Sequence, residues 1–293
     1  MKINPQNLRS IYTAVNTAFN GGRDSYQQLY RQIATVVPSN NLTEDYSWIG
    51  EFARFREWVG ERDVKKMSAN RYTLTNIKFE ATEGIPAEYV EDDNYGLLMP
   101  KFQDMGYAAA THPDELTFGL ISQGFERQCY DGQNFFDADH PVGDASVSNM
   151  QAGSGAPWFL LDTRRPLKPL IFQNRREYRL QQKNDPATSD RVFMTDELLY
   201  GVDARVAAGF GFWQQAFGSR AELVEDNFND AISAMMGFRS EQGRKLGINP
   251  NLLVVGPKNR AAAKRVVDAE NKVHGESNIN YRAVDVLVVP WLD

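Results

Sequence analysis

A short polar segment in the middle of the chain holds the residues best suited to metal chemistry. Asp131, Asp137, Asp139 and His140 lie within one ten-residue stretch. Carboxylate oxygens and an imidazole nitrogen are ordinary ligands of divalent metals, and a bound metal can activate water for hydrolysis. The same segment is also typical of turns, because Asp131 precedes glycine and His140 precedes proline, and both pairings favour turn or extended backbone. We favour the turn interpretation and assign no metal ligand here.

Other catalytic signatures are absent from the sequence. The chain has no Gly-x-Ser-x-Gly elbow, no His-Glu-x-x-His pair and no Walker-type glycine loop. Its single cysteine, Cys129, has no neighbours that mark a reactive thiol, and free cysteines usually behave as small buried hydrophobes. Gly256 and Pro257 could open a helix whose amides hold an anion, but the proline removes one of those amides. We therefore predict no catalytic residue, no cofactor and no enzymatic activity.

Residues 164–179 form a basic stretch that suits binding. It carries six basic side chains and one acidic side chain, with Phe172 and Tyr178 among them, a combination also found on nucleic-acid-binding faces. However, 32 Lys and Arg against 38 Asp and Glu give the chain a net charge of −6, which does not suit a general polyanion binder. Arginine is enriched in protein–protein interfaces, so we interpret the stretch as a subunit interface. The candidate residues are Arg164, Arg165, Arg175 and Arg176.

Composition places the chain among folded, soluble proteins. Of its 293 residues, 42% are hydrophobic and 24% are charged, which is close to the average for globular domains. The length suits about two domains. One cysteine excludes an internal disulfide framework, and no apolar run approaches the roughly 18 residues of a membrane helix. We expect a protein of a reducing compartment, with no leader and no membrane partner.

The first sixty residues read as short amphipathic helices. Leu8, Ile11, Val15 and Phe19 recur at helical spacing. A second stripe runs from Tyr26 to Pro38, and a third, aromatic stripe runs from Trp48 to Gly60. Glycine, proline, serine and asparagine separate the three. Periodicity leaves two interpretations open: an ordinary helical subdomain, or an arm that buries its stripes against a neighbouring molecule.

Residues 61–92 read as a long hairpin. Thr73, Thr75, Ile77 and Phe79 alternate on one face, residues 83–86 interrupt the strand, and residues 87–90 can run back. The charge is divided: residues 61–78 carry five basic and two acidic side chains, whereas residues 79–93 carry none and six. Cross-strand pairing explains this division; a projecting loop would instead use it to dock on a complementary surface. The candidate interface residues here are Lys65, Lys66, Arg71, Lys78, Glu80, Glu83 and Glu88.

Residues 93–124 read as the longest helix. Leu98, Phe102, Met105 and Ala109 share one face. Pro113 cannot donate its amide, so we expect the helix to kink or restart there, with Asp114 in the new first turn. Beyond it, strand-like runs such as residues 158–161, 169–172, 191–194 and 252–255 mix irregularly with helical stripes. This order predicts an α+β fold and not a doubly wound sheet.

Several motifs, taken in order, resemble the Mu-like phage major head subunit (T protein) family. Phe79-Glu80, Glu91–Gly96, Ala108–Glu115, Gly124-Phe125, Tyr130–Phe136, His140-Pro141 and Ser148-Asn149 carry the resemblance in the first half. Trp158–Asp162, Lys168–Gln173, Tyr200–Arg205, Gly209–Gln214, Leu252–Pro257 and Val286–Trp291 carry it in the second. Each motif alone is weak, whereas their common order and spacing are specific. The resemblance covers nearly the whole chain.

The resemblance implies the tailed-phage major capsid fold. Its parts would be an N-terminal arm (1–60), an extended loop (61–92), a mainly peripheral domain (93–215) with a spine helix (93–124), and a mainly axial domain (216–293). It implies a structural protein that assembles with itself into hexamers and pentamers of an icosahedral shell enclosing phage DNA. Scaffold, portal and decoration proteins are further expected partners, DNA contact is expected to be non-specific, and the location is the virion after assembly in the host cytoplasm. Two alternatives stay open: an encapsulin-like compartment, and a metal-dependent hydrolase built on Asp131 and His140.

Overall fold

The structure is a computed structural model that describes residues 3–46, 49, 72–92, 94–185, 188–272 and 275–292. Among these residues, no helix combines the length and the apolar character that crossing a bilayer requires. The helices are α1 (Pro5–Asp24), α2 (Ala87–Glu91), α3 (Met99–Ser122), α4 (Asp190–Thr195), α5 (Glu225–Gly237) and α6 (Arg260–Ala263). The strands are β1 (Ala34–Pro38), β2 (Thr43–Asp45), β3 (Thr73–Thr75), β4 (Ile77–Pro86), β5 (His140–Val142), β6 (Ala145–Val147), β7 (Met150–Gln151), β8 (Trp158–Leu161), β9 (Leu170–Lys183), β10 (Glu197–Phe210), β11 (Ala216–Ser219), β12 (Leu252–Val255) and β13 (Asp285–Val288).

Helices α1 and α3 pack against each other and against one face of a sheet. The Asn4 side chain caps α1 by accepting a hydrogen bond from the Asn7 amide at 2.9 Å. The predicted apolar stripe of α1 is buried, and so are Phe102, Met105 and Ala109 of the predicted face of α3, whereas Leu98 is partly buried in the turn before the helix. The long helix predicted for residues 93–124 is confirmed as α3, flanked by single 3-10 turns at Tyr95–Leu98 and Gln123–Phe125.

Two glycines allow the backbones of α1 and α3 to touch. A Cβ atom on Gly106 would lie 1.9 Å from the carbonyl oxygen of Phe19. A Cβ atom on Gly22 would lie 1.8 Å from the carbonyl oxygen of Gln103. No side chain fits at these distances, so the two helices cross at a point where only glycine is accommodated.

Of the two outcomes expected at Pro113, a kink or a restart, the restart is wrong. Helix α3 continues through this residue to Ser122. Asp114, expected in a new first turn, is fully buried and accepts hydrogen bonds from the amides of Leu29 and Tyr30 and from the hydroxyl of Tyr26 at 2.6 Å. Burial and the Asp114 contact raise the pKa of Tyr26, which keeps its hydroxyl protonated as a donor. These bonds tie the segment after α1 to the middle of α3.

The second helical stripe, predicted from Tyr26 to Pro38, is also wrong. Only Tyr30–Gln32 forms a helical turn, of the 3-10 type. Residues 34–38 form β1, which pairs in parallel with β9. The run contains Thr35, Val36 and Val37, whose branched side chains suit a strand better than a helix.

A four-stranded sheet with the order β1-β9-β10-β4 lies beneath the two helices. Phe102 of α3 packs edge-on against Tyr200 of β10, with ring centroids 5.5 Å apart. The hairpin turn predicted at residues 83–86 is wrong, because β4 continues to Pro86 along β10 and Ile85 is buried opposite Leu198. Helix α2, and not a returning strand, follows. On the opposite face, Leu74 of β3 covers Gly209 of β10, and Ile171 of β9 is buried beside it.

Tyr46 and Tyr72, which flank a segment outside the described residues, lie side by side. Strands β2 and β3 pair antiparallel, and the Tyr46 amide donates to the Tyr72 carbonyl at 2.7 Å. Tyr46, Ile49, Leu74, Ile171 and Phe212 form a small core at this base. The segment between residues 46 and 72 lies outside the described residues, apart from Ile49. It contains Lys65, Lys66, Arg71 and most of the predicted aromatic stripe.

A five-stranded sheet with the order β13-β12-β8-β11-β7 forms the second half of the molecule. Its central strands β8 and β12 are fully buried, as expected of uninterrupted apolar runs. The strand expected at residues 191–194 is wrong: α4 lies there, because Ser189 caps it and Asp196 ends it in the left-handed region at φ 53°. Two separate sheets with helices against each confirm the predicted α+β class.

The glycine contact predicts opposite effects for two similar substitutions in α3. Gly106→Ala forces a methyl group onto the Phe19 carbonyl and should lower the free energy of unfolding by about 1–3 kcal/mol. Gly119→Ala, in the same helix with open space around it, should raise it by about 0.5–1 kcal/mol. Urea unfolding of the unassembled subunit, followed by circular dichroism, measures both. Equal effects of the two substitutions would contradict the close contact.

Candidate assembly surface

The open face of the four-stranded sheet displays a line of positive charge. In the strand register, Arg205 of β10 lies directly opposite Lys78 of β4 on one side and Arg176 of β9 on the other. Residues directly opposite each other on neighbouring strands share a face. We call these three residues the cationic row. Like charges placed in this way repel one another, so the row costs the isolated subunit free energy.

On the same face, Asp203 lies opposite Glu80 of β4 and Arg179 of β9. This neighbouring register line compensates only part of the charge of the cationic row. Asp203 forms ion pairs with Arg176 and, at 3.6 Å, with Arg179. Glu80 accepts a hydrogen bond from Thr82 at 2.8 Å. Within the described part of the chain, Lys78 and Arg205 make no hydrogen bond or ion pair, and the buried Nε atoms of Arg176 and Arg205 have no partner.

The other predicted interface residues have separate positions. Glu83 lies on the helix-covered side of the sheet and pairs with Lys101 of α3. Glu88 is exposed on α2. Arg175 is half-buried at the irregularity where the register of β9 and β10 shifts. Lys78, Glu80 and Arg176 are the predicted residues that the sheet brings together.

Two of the predicted arginines bind within the subunit. The guanidinium of Arg164 bonds to the buried carboxylate of Asp162 at 3.2 Å and to the carbonyl of Asn249. The guanidinium of Arg165 bonds to the carbonyl of Leu246. Both residues therefore tie the end of β8 to the segment that leads into β12. The basic stretch is thus divided between internal bonds and the open sheet face.

The polar segment around His140 is a closed hydrogen-bond network. His140 is fully buried and stacks on Trp213, with ring centroids 4.0 Å apart. Its Nδ1 lies 2.7 Å from an Asp131 carboxylate oxygen, and its Nε2 lies 3.1 Å from Oδ1 of Asn149. Oδ1 of Asn149 also accepts the Asp137 amide, and its amide nitrogen donates to three main-chain carbonyls. Both ring nitrogens of His140 therefore face acceptors.

The four residues considered as metal ligands in the hydrolase alternative do not converge on one point. Asp137 accepts the Asn134 amide, and Asp139 accepts the hydroxyl of Ser146, so neither carboxylate joins His140. The ligand atoms of Cys129, Asp131 and His140 do lie within 4.8 Å of one another. A metal would need a thiolate and free lone pairs, whereas burial raises the pKa of Cys129 and its thiol donates to Asp131 at 3.1 Å.

Asp131 is held in its charged form by the same contacts. Burial alone raises the pKa of this carboxyl, but the hydrogen bonds from His140 and Cys129 and the nearby imidazole outweigh burial and leave the pKa below its ordinary value. Asn149, which orients the histidine, has no recognisable signal in the sequence beyond its place in one of the resemblance motifs. The cluster can position side chains, but it presents no open ligand position.

A cavity of about 220 Å³ lies between α3 and the sheet. Its lining is mainly apolar and includes Phe79, Met105 and Ala109. His112 and Tyr178 bond to each other there through Nδ1 and the hydroxyl group. Burial lowers the pKa of His112 and raises that of Tyr178, so both rings are favoured in their neutral forms.

Comparisons with known proteins agree with the fold. The family model described as Mu-like prophage major head subunit gpT matches residues 8–292. The major capsid protein of Escherichia phage Mu is 39% identical over 291 residues, covering 96% of this chain and 95% of that protein. The Mu-like prophage FluMu major head subunit of Haemophilus influenzae is 36% identical over 280 residues, covering 92% and 91%.

Solved phage shells contain subunits of the same fold. A chain from the procapsid of bacteriophage JBD30 superposes with a TM-score of 0.88 at 42% identity, covering 99% of this chain and all of that one. A chain from the JBD30 capsid superposes with a TM-score of 0.80 at 34% identity, covering 92% of each. The predicted major capsid fold is therefore confirmed, and neither the hydrolase nor the encapsulin-like alternative gains support.

The sequence match over nearly the full length, the superposition on capsid subunits and the two-sheet architecture all agree. The chain belongs to the Mu-like prophage major head subunit family, whose members are structural capsid proteins and not enzymes.

Proposed function

We propose that this chain builds an icosahedral phage head by assembling with itself into hexamers and pentamers around packaged DNA. The observation that carries the proposal is the end-to-end superposition on a subunit of the JBD30 procapsid. The net charge of −6 supports it as well, because binding to DNA is dominated by phosphate neutralisation and an acidic wall adheres little to the genome. The virion is the site of function, and assembly takes place in the host cytoplasm.

The two sheets support an assignment of the subunit parts. The peripheral domain comprises α1, α3 and the four-stranded sheet, and the axial domain comprises the five-stranded sheet with α5 and α6. The extended loop begins and ends at the β2–β3 pair. This assignment differs from the sequence-based boundaries of 1–60 and 61–92, since β1 and β4 belong to the body.

Exposed apolar side chains support self-association. Leu97, Phe193, Met194 and Ile279 each expose between 73% and 79% of their surface. When a neighbouring molecule covers such side chains, apolar surface is removed from water and the assembly is stabilised. Phe193 and Met194 lie side by side on α4, between the two long strands β9 and β10. Contacts between capsomers would bury them.

Further partners are proposed by likeness. A JBD30 capsid decorated with minor capsid protein trimers superposes on this chain with a TM-score of 0.79 at 34% identity over 92% of each chain. A decoration protein is therefore a reasonable partner for this shell. Scaffold and portal proteins are proposed because a closed head needs a defined size and a vertex for DNA entry.

The His140 network acts as an internal brace in this proposal. It joins the segment after α3 to the five-stranded sheet through Asn149 and Trp213. A buried, fully bonded polar network specifies one packing arrangement, because each partner left alone would be costly. The brace keeps the two halves of the body in one arrangement while outer segments adjust to hexamers or pentamers.

Self-assembly is tested directly with the purified protein. We expect shells or capsomers in negative-stain electron microscopy and a fast-sedimenting species in ultracentrifugation, alone or with a co-expressed scaffold. The concentration of assembled material should rise steeply above a threshold, because each subunit gains several contacts at once. A strictly monomeric protein under all these conditions would overturn the proposal.

The basic part of the loop segment should act between subunits. Reversing the charges of Lys65, Lys66 and Arg71 to glutamate should reduce the yield of shells several-fold while leaving subunit melting nearly unchanged. The matched control exchanges the same residues within their charge class: Lys65→Arg, Lys66→Arg and Arg71→Lys. Equal loss of subunit stability in the reversed variant would instead indicate pairing within one molecule.

The brace predicts a pH-dependent loss of stability for Asp131→Asn. At pH 7 the free energy of unfolding of the variant should be about 3 kcal/mol lower than that of the parent, because the buried imidazole loses its charged partner. The folded pKa of Asp131 lies below its ordinary value, so its contribution is complete above about pH 4 and declines as the pH falls further. Chemical unfolding at several pH values measures this deficit. Asp139→Asn, whose carboxylate bonds only to Ser146 among the described residues, serves as the control and should change little.

A further inference from the structure

We infer that the cationic row receives the acidic end of α2 from a second copy of the chain, in a head-to-tail contact between neighbouring subunits. The inference rests on the proposed self-assembly and names one contact that would produce it. It is argued from the charge on the open sheet face, the charge on α2 and the distance between the two along β4.

The receiving surface has positive charge that the described residues of its own subunit neutralise only in part. Lys78, Arg205 and Arg176 span two strand spacings, about 10 Å. With Arg179 they bring four cations to a face on which Asp203 and Glu80 are the two carboxylates of the same register lines. Lys78 and Arg205 lack partners among the described residues. The row is therefore repulsive in the subunit and becomes favourable when carboxylates approach it.

The donating surface is equally one-sided. Residues 79–93 contain six acidic and no basic residues. Glu88 and Asp92 are exposed and four residues apart, and the Asp92 amide bonds to the Glu88 carbonyl, so their side chains project from the same side of the turn. Within the described residues neither carboxylate has an ion pair. Their spacing on one helical turn, about 6 Å, fits between neighbouring members of the row.

The two surfaces cannot meet within one molecule. Lys78 and Pro86 are eight residues apart on β4, which corresponds to about 26 Å along a strand. Because β4 is held along its length by β10, α2 cannot fold back over the row. Two complementary patches at different places on one chain make a heterologous contact, and such contacts generate rings when the rotation closes. Rings are what the proposed hexamers and pentamers require.

A nucleic acid is the competing occupant of the row. Phosphates also bind arginine, but Asp203 and Glu80 stand directly beside the three cations and would repel a phosphate backbone running across the strands. A pair of carboxylates on a short helix can approach the row alone and avoid the two acids. The charge pattern thus favours a protein partner.

Charge exchange tests the contact. The row variant carries Lys78→Glu and Arg205→Glu, and the helix variant carries Glu88→Lys and Asp92→Lys. Each variant alone brings like charges together in every contact, so the number of assembled particles should fall by about tenfold or more. A chain with all four substitutions pairs opposite charges again and should assemble like the parent. That chain also controls for damage to the fold, since it contains every substitution.

Mixing the two variants gives a second, independent readout. In an equimolar mixture, alternating copies place opposite charges in every contact of a six-membered ring, so hexamers should return. A five-membered ring cannot alternate completely, so closed shells should stay scarce and open sheets or tubes should accumulate. Electron microscopy distinguishes these products.

Three outcomes would overturn the inference. If the parent assembles but neither the fourfold variant nor the mixture recovers, the row and α2 are not partners, and the proposed self-assembly stands. If the row variant forms normal shells but retains less DNA, the row is a nucleic-acid site. If the parent itself never assembles, the proposed function fails and this contact fails with it.

Discussion

The contact of α1 with α3 through Gly22 and Gly106 sets the position of most other elements. Because the backbones touch there, one apolar layer serves both helices and the sheet below them. Asp114 stabilises the same arrangement, because its carboxylate accepts hydrogen bonds from the main-chain amides of Leu29 and Tyr30, which follow α1. Both helices consequently lie on one side of the four-stranded sheet. On the other side, the β2–β3 pair covers one end of the sheet, and the described residues farther along carry the lines of charge on β4, β10 and β9.

The sequence was informative wherever local pattern and burial agree. The stripes of α1 and α3, and the apolar runs of β8 and β12, predict their elements because each pattern reflects one buried face. The predictions fail where pairing with a distant part of the chain determines the local structure. Glycine and proline at residues 84 and 86 are typical of a turn, yet the long partner β10 holds β4 extended. The spacing of apolar residues after Tyr26 predicts a helix, but residues 34–38 form a strand because they pair with β9.

The assembly surface was only partly accessible to sequence reasoning. Lys78, Glu80 and Arg176 were expected at an interface from local charge, and the sheet brings them to one face. Arg205 was missed, because a lone arginine in a strand signals nothing until the register places it between two other cations. The irregularity at Arg175 decides which side Arg176 takes. The metal interpretation of Asp131 and His140 could not be settled from spacing either, since side-chain partners such as Asn149 determine it. Family resemblance decided function where residue types alone were ambiguous.

The β2–β3 pair has a consequence for how such subunits diversify. Residues 46 and 72 meet at a hydrogen-bonded base with its own small core. The contacts that form this base do not depend on the number of residues between its two ends. The entropy of closing a longer loop grows only with the logarithm of its length. We therefore expect changes in the length of the chain between residues 50 and 71 to cost the base little free energy. For an engineer, the same base is a natural position at which to graft a foreign peptide onto a capsid subunit.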